Sequence, residues 1–261
     1  VQESVSARTA PVRPPVSAGR LHIQPLLATV AAAEAVVLTA LSAGVGLGPA
    51  GWLAGTAYGL GLWGLLTVAT WRAGTGTLGP AGLVTSARAV LVGGVVALVA
   101  DRLWVGDVPT VLLVVIATVA LVLDALDGPV ARRTGTASAL GARFDVEVDS
   151  VLVLVLSVHV AVLLGPWVLV IGAMRYAFVA AGWAVPWLRS PLPVSYSAKA
   201  VAALQGIVLV VAAADVLPRS LAAVLVAVAL ALLVWSFTRS IVWLWRDARR
   251  PTRAGGAGLP T

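Results

Sequence analysis

The sequence contains no cysteine, which removes disulfides, thiolate metal sites and cysteine nucleophiles from consideration. Charge is nearly as scarce. Only 11% of the 261 residues are charged and 60% are hydrophobic, whereas soluble globular domains carry about 25% charged residues. With a mean hydropathy of +0.99, the chain reads as a polytopic membrane protein. Lysine is almost missing too: Lys199 stands alone among eighteen basic residues, and arginine supplies the rest. The net charge of +7 lies mostly between apolar runs and near the ends, a positive-inside pattern that argues against nucleic-acid binding. The bias toward Arg, Ala, Val and Gly resembles that of a GC-rich bacterial genome, and so points to a bacterial cytoplasmic membrane. Without thiols, any bound metal must be held by oxygen or imidazole.

What the chain does have is long apolar runs. A membrane-crossing helix needs about 20 residues, rising about 1.5 Å each, to cross a hydrocarbon core of about 30 Å. Such runs fall near 23–44, 50–70, 83–100, 108–126, 147–164, 166–186, 200–217 and 219–238, which predicts eight spans. The opening stretch, polar and marked by Arg8, Arg13 and Arg20, reads as a cytoplasmic tail over residues 1–22. With that end inside, Arg72, Arg132, Arg133, Arg143, Arg189, Lys199, Arg239, Arg246, Arg249, Arg250 and Arg253 share the cytoplasmic side. Only Arg102 and Arg219 fall opposite, near helix ends. Trp71, Trp104, Trp187, Trp243 and Trp245 sit at predicted span ends, where indole rings favour the interface. The glycine-rich GTGTLGPAG at 74–82 divides a two-helix hairpin, 23–75, from a six-helix core, 80–240. A basic, Trp-containing cytoplasmic tail over 241–261 is placed to rest on anionic headgroups.

One stretch breaks the apolar pattern. Five of the eleven acidic residues, Asp124, Asp127, Asp145, Glu147 and Asp149, fall within residues 124–149. On helices, Asp124 and Asp127 share a face as i and i+3, and Asp145 and Asp149 as i and i+4. Two antiparallel helices joined near 133–143 therefore bring four carboxylates to one end of the bundle. Carboxylates this close repel one another and need counter-charge. Divalent cations supply it, and an all-oxygen set suits Mg²⁺, Mn²⁺ or Ca²⁺ rather than zinc, as a two-metal site of the kind used in phosphoryl chemistry. Gly128, Ala131 and Gly141 leave room for a ligand beside the helix backbones, and Arg132 offers a forked donor matched to a phosphate or to a carboxylate. The site reads as one for a phosphate-bearing nucleotide held by metals.

The pattern Asp124-x-x-Asp127-Gly128-x-x-Ala131-Arg132, eight residues, Gly141-x-x-x-Asp145-x-x-x-Asp149 resembles the signature of the CDP-alcohol phosphotransferase family at every position. The resemblance implies an all-α membrane protein with a six-helix core, preceded here by the hairpin. It implies that Asp124, Asp127, Asp145 and Asp149 ligate metal, that Asp149 also serves as general base, and that Gly128, Ala131, Arg132 and Gly141 line a CDP site. The implied reaction is attack of an alcohol on a CDP-linked lipid, expected to be CDP-diacylglycerol, with release of CMP. A homodimer is implied as well. Upstream, Thr85 and Arg88 match an Asn-x-x-Thr-x-x-Arg pattern of such proteins and are placed at the nucleotide, with Gly82 where Asn would stand; Arg88 as an interfacial anchor is the other reading. Ser150 stands where many relatives carry Lys or Arg.

Arg133, Arg143, Arg189 and Lys199 would form a basic mouth for a phosphorylated acceptor, inositol phosphate or glycerol 3-phosphate, with Gln205 beside them. Positive-inside charge is the plainer account of the same residues. Arg175, near mid-membrane, is expected to pair with a buried acid, and Glu147 to be solvated or Arg-paired. His159 reads as a packed polar residue, and Glu34 in the first span has no assigned role. The competing classes are a transporter or cation-binding membrane protein, whose acids would lie deeper in the bilayer, and a non-catalytic scaffold relative.

Overall fold

The structure is a computed structural model that describes residues 21–73, 77–78, 80–106, 109–134, 139–190 and 195–249. Eight helices make up nearly all of it: α1 (Ile23–Val45), α2 (Pro49–Ala73), α3 (Pro80–Val105), α4 (Thr110–Thr134), α5 (Ala139–Leu164), α6 (Leu169–Ala184), α7 (Tyr196–Ala213) and α8 (Arg219–Ala248). The fold is all-α, as the apolar runs predicted. Among the described residues, six of the helices, α1, α3, α5, α6, α7 and α8, are long and apolar enough to cross a membrane. Each of the eight expected spans appears as a helix, and six of them meet that test among the described residues. In α4 the residues Thr110–Leu126 form an apolar stretch.

Local chemistry sets the helix ends. Pro49 and Pro80 open α2 and α3 where a missing N–H costs no hydrogen bond. Gly46 and Gly106, with φ of 73° and 89°, close α1 and α3 in the left-handed region that other residues enter only with strain. Their amides donate to Ser42 and Arg102 carbonyls at 3.0 Å. Ser195 caps α7 by accepting from the Ala198 amide at 3.4 Å. Short 3₁₀ turns at Pro166–Val168 and Pro186–Arg189 flank α6, making it shorter than its apolar run. Conversely, α4, α5 and α8 outrun theirs, because polar residues at a membrane edge need not end a helix. The basic stretch after residue 240 accordingly continues α8 as far as Ala248.

Helix α3 is the centre, two thirds buried, and packs against α1, α2, α4 and α5. Val92, Val95, Ala97 and Leu98 are sealed within it. Two devices fasten the hairpin to this centre. At one end both carboxylate oxygens of buried Asp101, on α3, accept from the Gly48 amide at 3.1 Å. At the other, Leu21–His22 (β1) pairs antiparallel with Thr77–Leu78 (β2), a two-residue ladder inside what the sequence marked as a linker.

Candidate active site

The three helices α3, α4 and α5 meet at the end of the bundle where α3 begins, α4 finishes and α5 starts. Arg88 comes from α3, Asp124 from α4, and Asp145 and Asp149 stand one turn apart on α5. The Arg88 side chain is completely buried. Its Nη1 pairs with Asp124 and with Asp149 Oδ1, the latter at 2.8 Å, and its Nη2 pairs with the Asp145 carboxylate. Nη2 also donates to the Asp145 backbone carbonyl at 3.4 Å. One carboxylate oxygen from each of Asp124, Asp145 and Asp149 lies within 4.8 Å of the others. The three side chains are 32–38% exposed, so the cluster is open on the side away from the sealed guanidinium.

Charge balance decides what such a cluster can accept. One guanidinium offsets one carboxylate, so three ionised carboxylates leave a deficit that a divalent cation can fill. The donors are all hard oxygens, which fits Mg²⁺ or Mn²⁺ and not a thiophilic metal. The residues present therefore fit the metal that the sequence implied.

The remaining expected site residues are distributed unevenly. Thr85 is buried one turn before Arg88, and Gly141 is half-buried in the first turn of α5. Asp127, Gly128, Ala131, Arg132 and Arg133 ride on the last turns of α4, and their side chains lie outside the described residues. Arg143 and Lys199 are exposed. Arg189 is occupied locally: its Nε donates to the Gly182 carbonyl at 2.6 Å and its Nη2 to the Trp183 carbonyl at 3.2 Å. These are carbonyls that the end of α6 leaves without helical partners. Among the described residues, no hydrogen bond or ion pair joins Arg143, Arg189 or Lys199 to the carboxylates.

Around the cluster, Arg175 on α6 pairs with Glu147 on α5 at 2.5 Å, as expected of an intramembrane arginine and of that acid. Gln205 belongs to the packing and not to a basic mouth: it is buried, and its Nε2 donates to the Ala229 carbonyl of α8 at 2.8 Å. His159, ten residues along α5 from Asp149, is buried and stands apart from the acids. Tyr58 of α2 reaches α3 five residues beyond Arg88, where a methyl group at Gly93 would stand 3.2 Å from its ring. The hairpin thus approaches the site from outside the six-helix core, a proximity that no periodicity in the sequence reveals.

The sequence model of the CDP-alcohol phosphatidyltransferase family matches residues 80–235, more than half of the chain. The chain belongs to that family. The match begins at the first residue of α3, ends within α8, and contains Arg88 and every acid of the cluster; α1 and α2 precede it. Membership carries the coarse activity of the CDP-alcohol phosphatidyltransferase family, transfer of a phosphatidyl group from a CDP-alcohol in lipid synthesis. With six apolar helices, this family member is an integral membrane protein. No curated protein and no solved structure is significantly similar to the chain.

Sequence reasoning undervalued Arg88. Its two readings were a nucleotide ligand and an interfacial anchor, whereas it lies in the middle of the carboxylates. The arithmetic of charge calls for a cation near three clustered acids in an apolar chain but does not say which one, and Arg88 lies on another helix, 36 residues before Asp124.

Proposed function

We propose that the protein transfers the phosphatidyl group of CDP-diacylglycerol to a hydroxyl of a phosphorylated polyol, inositol phosphate or glycerol 3-phosphate, and releases CMP. The observation that carries this reading is the convergence of Asp124, Asp145 and Asp149 around Arg88 at the signature positions of a family-matched segment. Asp124, Asp127, Asp145 and Asp149 would hold Mg²⁺ or Mn²⁺, which when bound offsets the charge on the carboxylates and the transferred phosphate. Asp149, on the open side of the cluster, accepts the proton of the attacking hydroxyl. The new bond joins that oxygen to the phosphorus bearing diacylglycerol, and the bond from this phosphorus to the oxygen of CMP breaks.

Thr85, Gly128, Ala131, Arg132 and Gly141 would hold the CDP moiety, with the small residues leaving room for it beside the helices. Arg88 positions the acids and supplies positive charge within reach of the donor phosphates. The exposed cations Arg143 and Lys199, with Arg133 and Arg189, support a phosphorylated acceptor over a neutral one. The six helices from residue 80 to 240 form the catalytic unit, with 23–75 as an accessory hairpin. The site faces the cytoplasm of a bacterial cell, both termini lie on that side, and two copies form a homodimer.

The deciding experiment measures CMP release by the purified protein from CDP-diacylglycerol with Mg²⁺ or Mn²⁺, across inositol phosphate, glycerol 3-phosphate, inositol and serine. Release with one phosphorylated polyol is expected. Asp149→Asn should lower that rate by about 10²–10⁴-fold, the usual share of a general base. An Asn variant as active as its parent would remove Asp149 from the reaction, and release only with serine or inositol would overturn the acceptor assignment.

A further inference from the structure

The hairpin contains a buried acid that the transfer reaction does not use. Glu34, on α1, is 5% exposed and lies within the apolar span Leu27–Val45. Its carboxylate is wedged between glycines of two neighbouring helices. A methyl group at Gly59 of α2 would stand 2.4 Å from Oε2, and one at Gly93 of α3 would stand 2.5 Å from Oε1. Yet Oε1 has no hydrogen-bond partner, and no cationic side chain pairs with Glu34 among the described residues. A membrane protein does not hold a lone acid at this depth for packing alone, because it would do better with a leucine.

Glu34 is also among the residues lining a cavity of about 450 Å³ between α1 and α2, a volume usual for small-ligand sites. Its other walls are almost wholly apolar, with Leu27, Leu38 and Leu66 at the back. Ala31, Leu60 and Trp63 line the mouth and are exposed, so the cavity opens to the outside of the bundle, where the hydrocarbon of the bilayer would lie. Only an apolar chain is available in quantity there, and only a hydrogen-bond donor would satisfy the acid. We propose that this cavity binds the aliphatic chain of a membrane amphiphile that carries a hydroxyl, which donates to Glu34. The residues lining the cavity all precede residue 80, outside the family-matched segment, and the proposal stands independently of the transfer reaction.

The test uses the full-length protein in lipid nanodiscs and two photoreactive probes, a long-chain primary alcohol with a diazirine in its chain and the matching alkane. Labelled peptides are mapped by mass spectrometry. The alcohol should label α1 and α2 about tenfold more than the alkane, the difference expected for one hydrogen bond to a carboxylate. Glu34→Leu should remove that preference without lowering the melting temperature, a combination that a purely structural acid would not show. Ala31→Phe, at an exposed position, should block labelling by both probes without touching the core.

Equal labelling by alcohol and alkane would overturn the role of Glu34, and absence of label from α1 and α2 would overturn the site. Because the chain has no cysteine, Leu60→Cys offers a single handle on the mouth of the cavity. Its oxidation to a covalent dimer would show that a second copy covers the groove, which would also overturn a lipid occupant.

Discussion

Arg88 carries the only buried positive charge in contact with the acid cluster among the described residues, and its removal is the sharpest single-residue test of how the site is held together. In Arg88→Ala, three carboxylates drawn from two helices would face one another without a counter-charge. Breaking a buried pair in this way costs about 3–5 kcal/mol, and the lower end applies because the acids are a third exposed. The expected result is a clear fall in the melting temperature of metal-free protein. Added Mg²⁺ should recover more stability in this variant than in the parent, since the cation would take over the work of the guanidinium. A variant with the parent's melting temperature and metal response would show that Arg88 is not the counter-charge. The Asp145–Asp149 pair was legible in the sequence, because an i, i+4 spacing survives any packing of the helix that carries it. The position of Arg88 was not, because it depends on three helices meeting, and spacing within one helix carries no information about that.

At the scale of elements, apolar runs locate helices but do not say which faces touch. Helix α2 shows the difference. Gly51, Gly55 and Gly59 form a stripe at i, i+4 and i+8, the small-residue spacing that lets membrane helices approach closely. A methyl group at Gly51 would stand 2.9 Å from the Ala97 carbonyl oxygen of α3, and one at Gly55 2.7 Å from Leu38 of α1. Gly61 and Gly64, on the same helix, have nothing within 4 Å. Identical residues therefore have opposite expectations. Gly51→Leu should destabilise the protein by about 1–3 kcal/mol through overpacking against backbone. Gly64→Ala should be neutral or stabilise by up to about 1 kcal/mol by removing a weak helix former. Thermal unfolding of the two purified variants separates the cases, and equal effects would show that the stripe does not dock α2. Helix ends were the least legible feature. The prolines bracketing α6 shortened it relative to its apolar run, whereas α4 and α5 ran on past theirs into the polar residues that form the site.

For the molecule as a whole, the alternation of antiparallel helices gives the acid cluster a side of the membrane. The starts of α5 and α7 lie at the same end of the bundle as the cluster, and these carry Arg143 and Lys199. The end of α3 and the turn between α7 and α8 lie opposite, with Trp104 and Val216 exposed there at 81% and 76%. Basic residues gather at the cluster end and are sparse at the other, where Arg102 and Arg219 sit. By the positive-inside rule, this asymmetry supports the proposed cytoplasmic placement of the carboxylates. The cysteine-free chain makes this directly measurable with a membrane-impermeant maleimide on single-cysteine variants in spheroplasts of a bacterial host. Val216→Cys and Trp104→Cys should be labelled while the membrane is intact. Arg143→Cys and Lys199→Cys should be labelled only after permeabilisation. The reverse pattern would place the cluster outside the cell, where a CDP-linked donor has no nucleotide triphosphate supply to renew it. The orientation therefore tests the transfer reaction as well as the fold, because a site that consumes an activated nucleotide must open to the compartment that makes it.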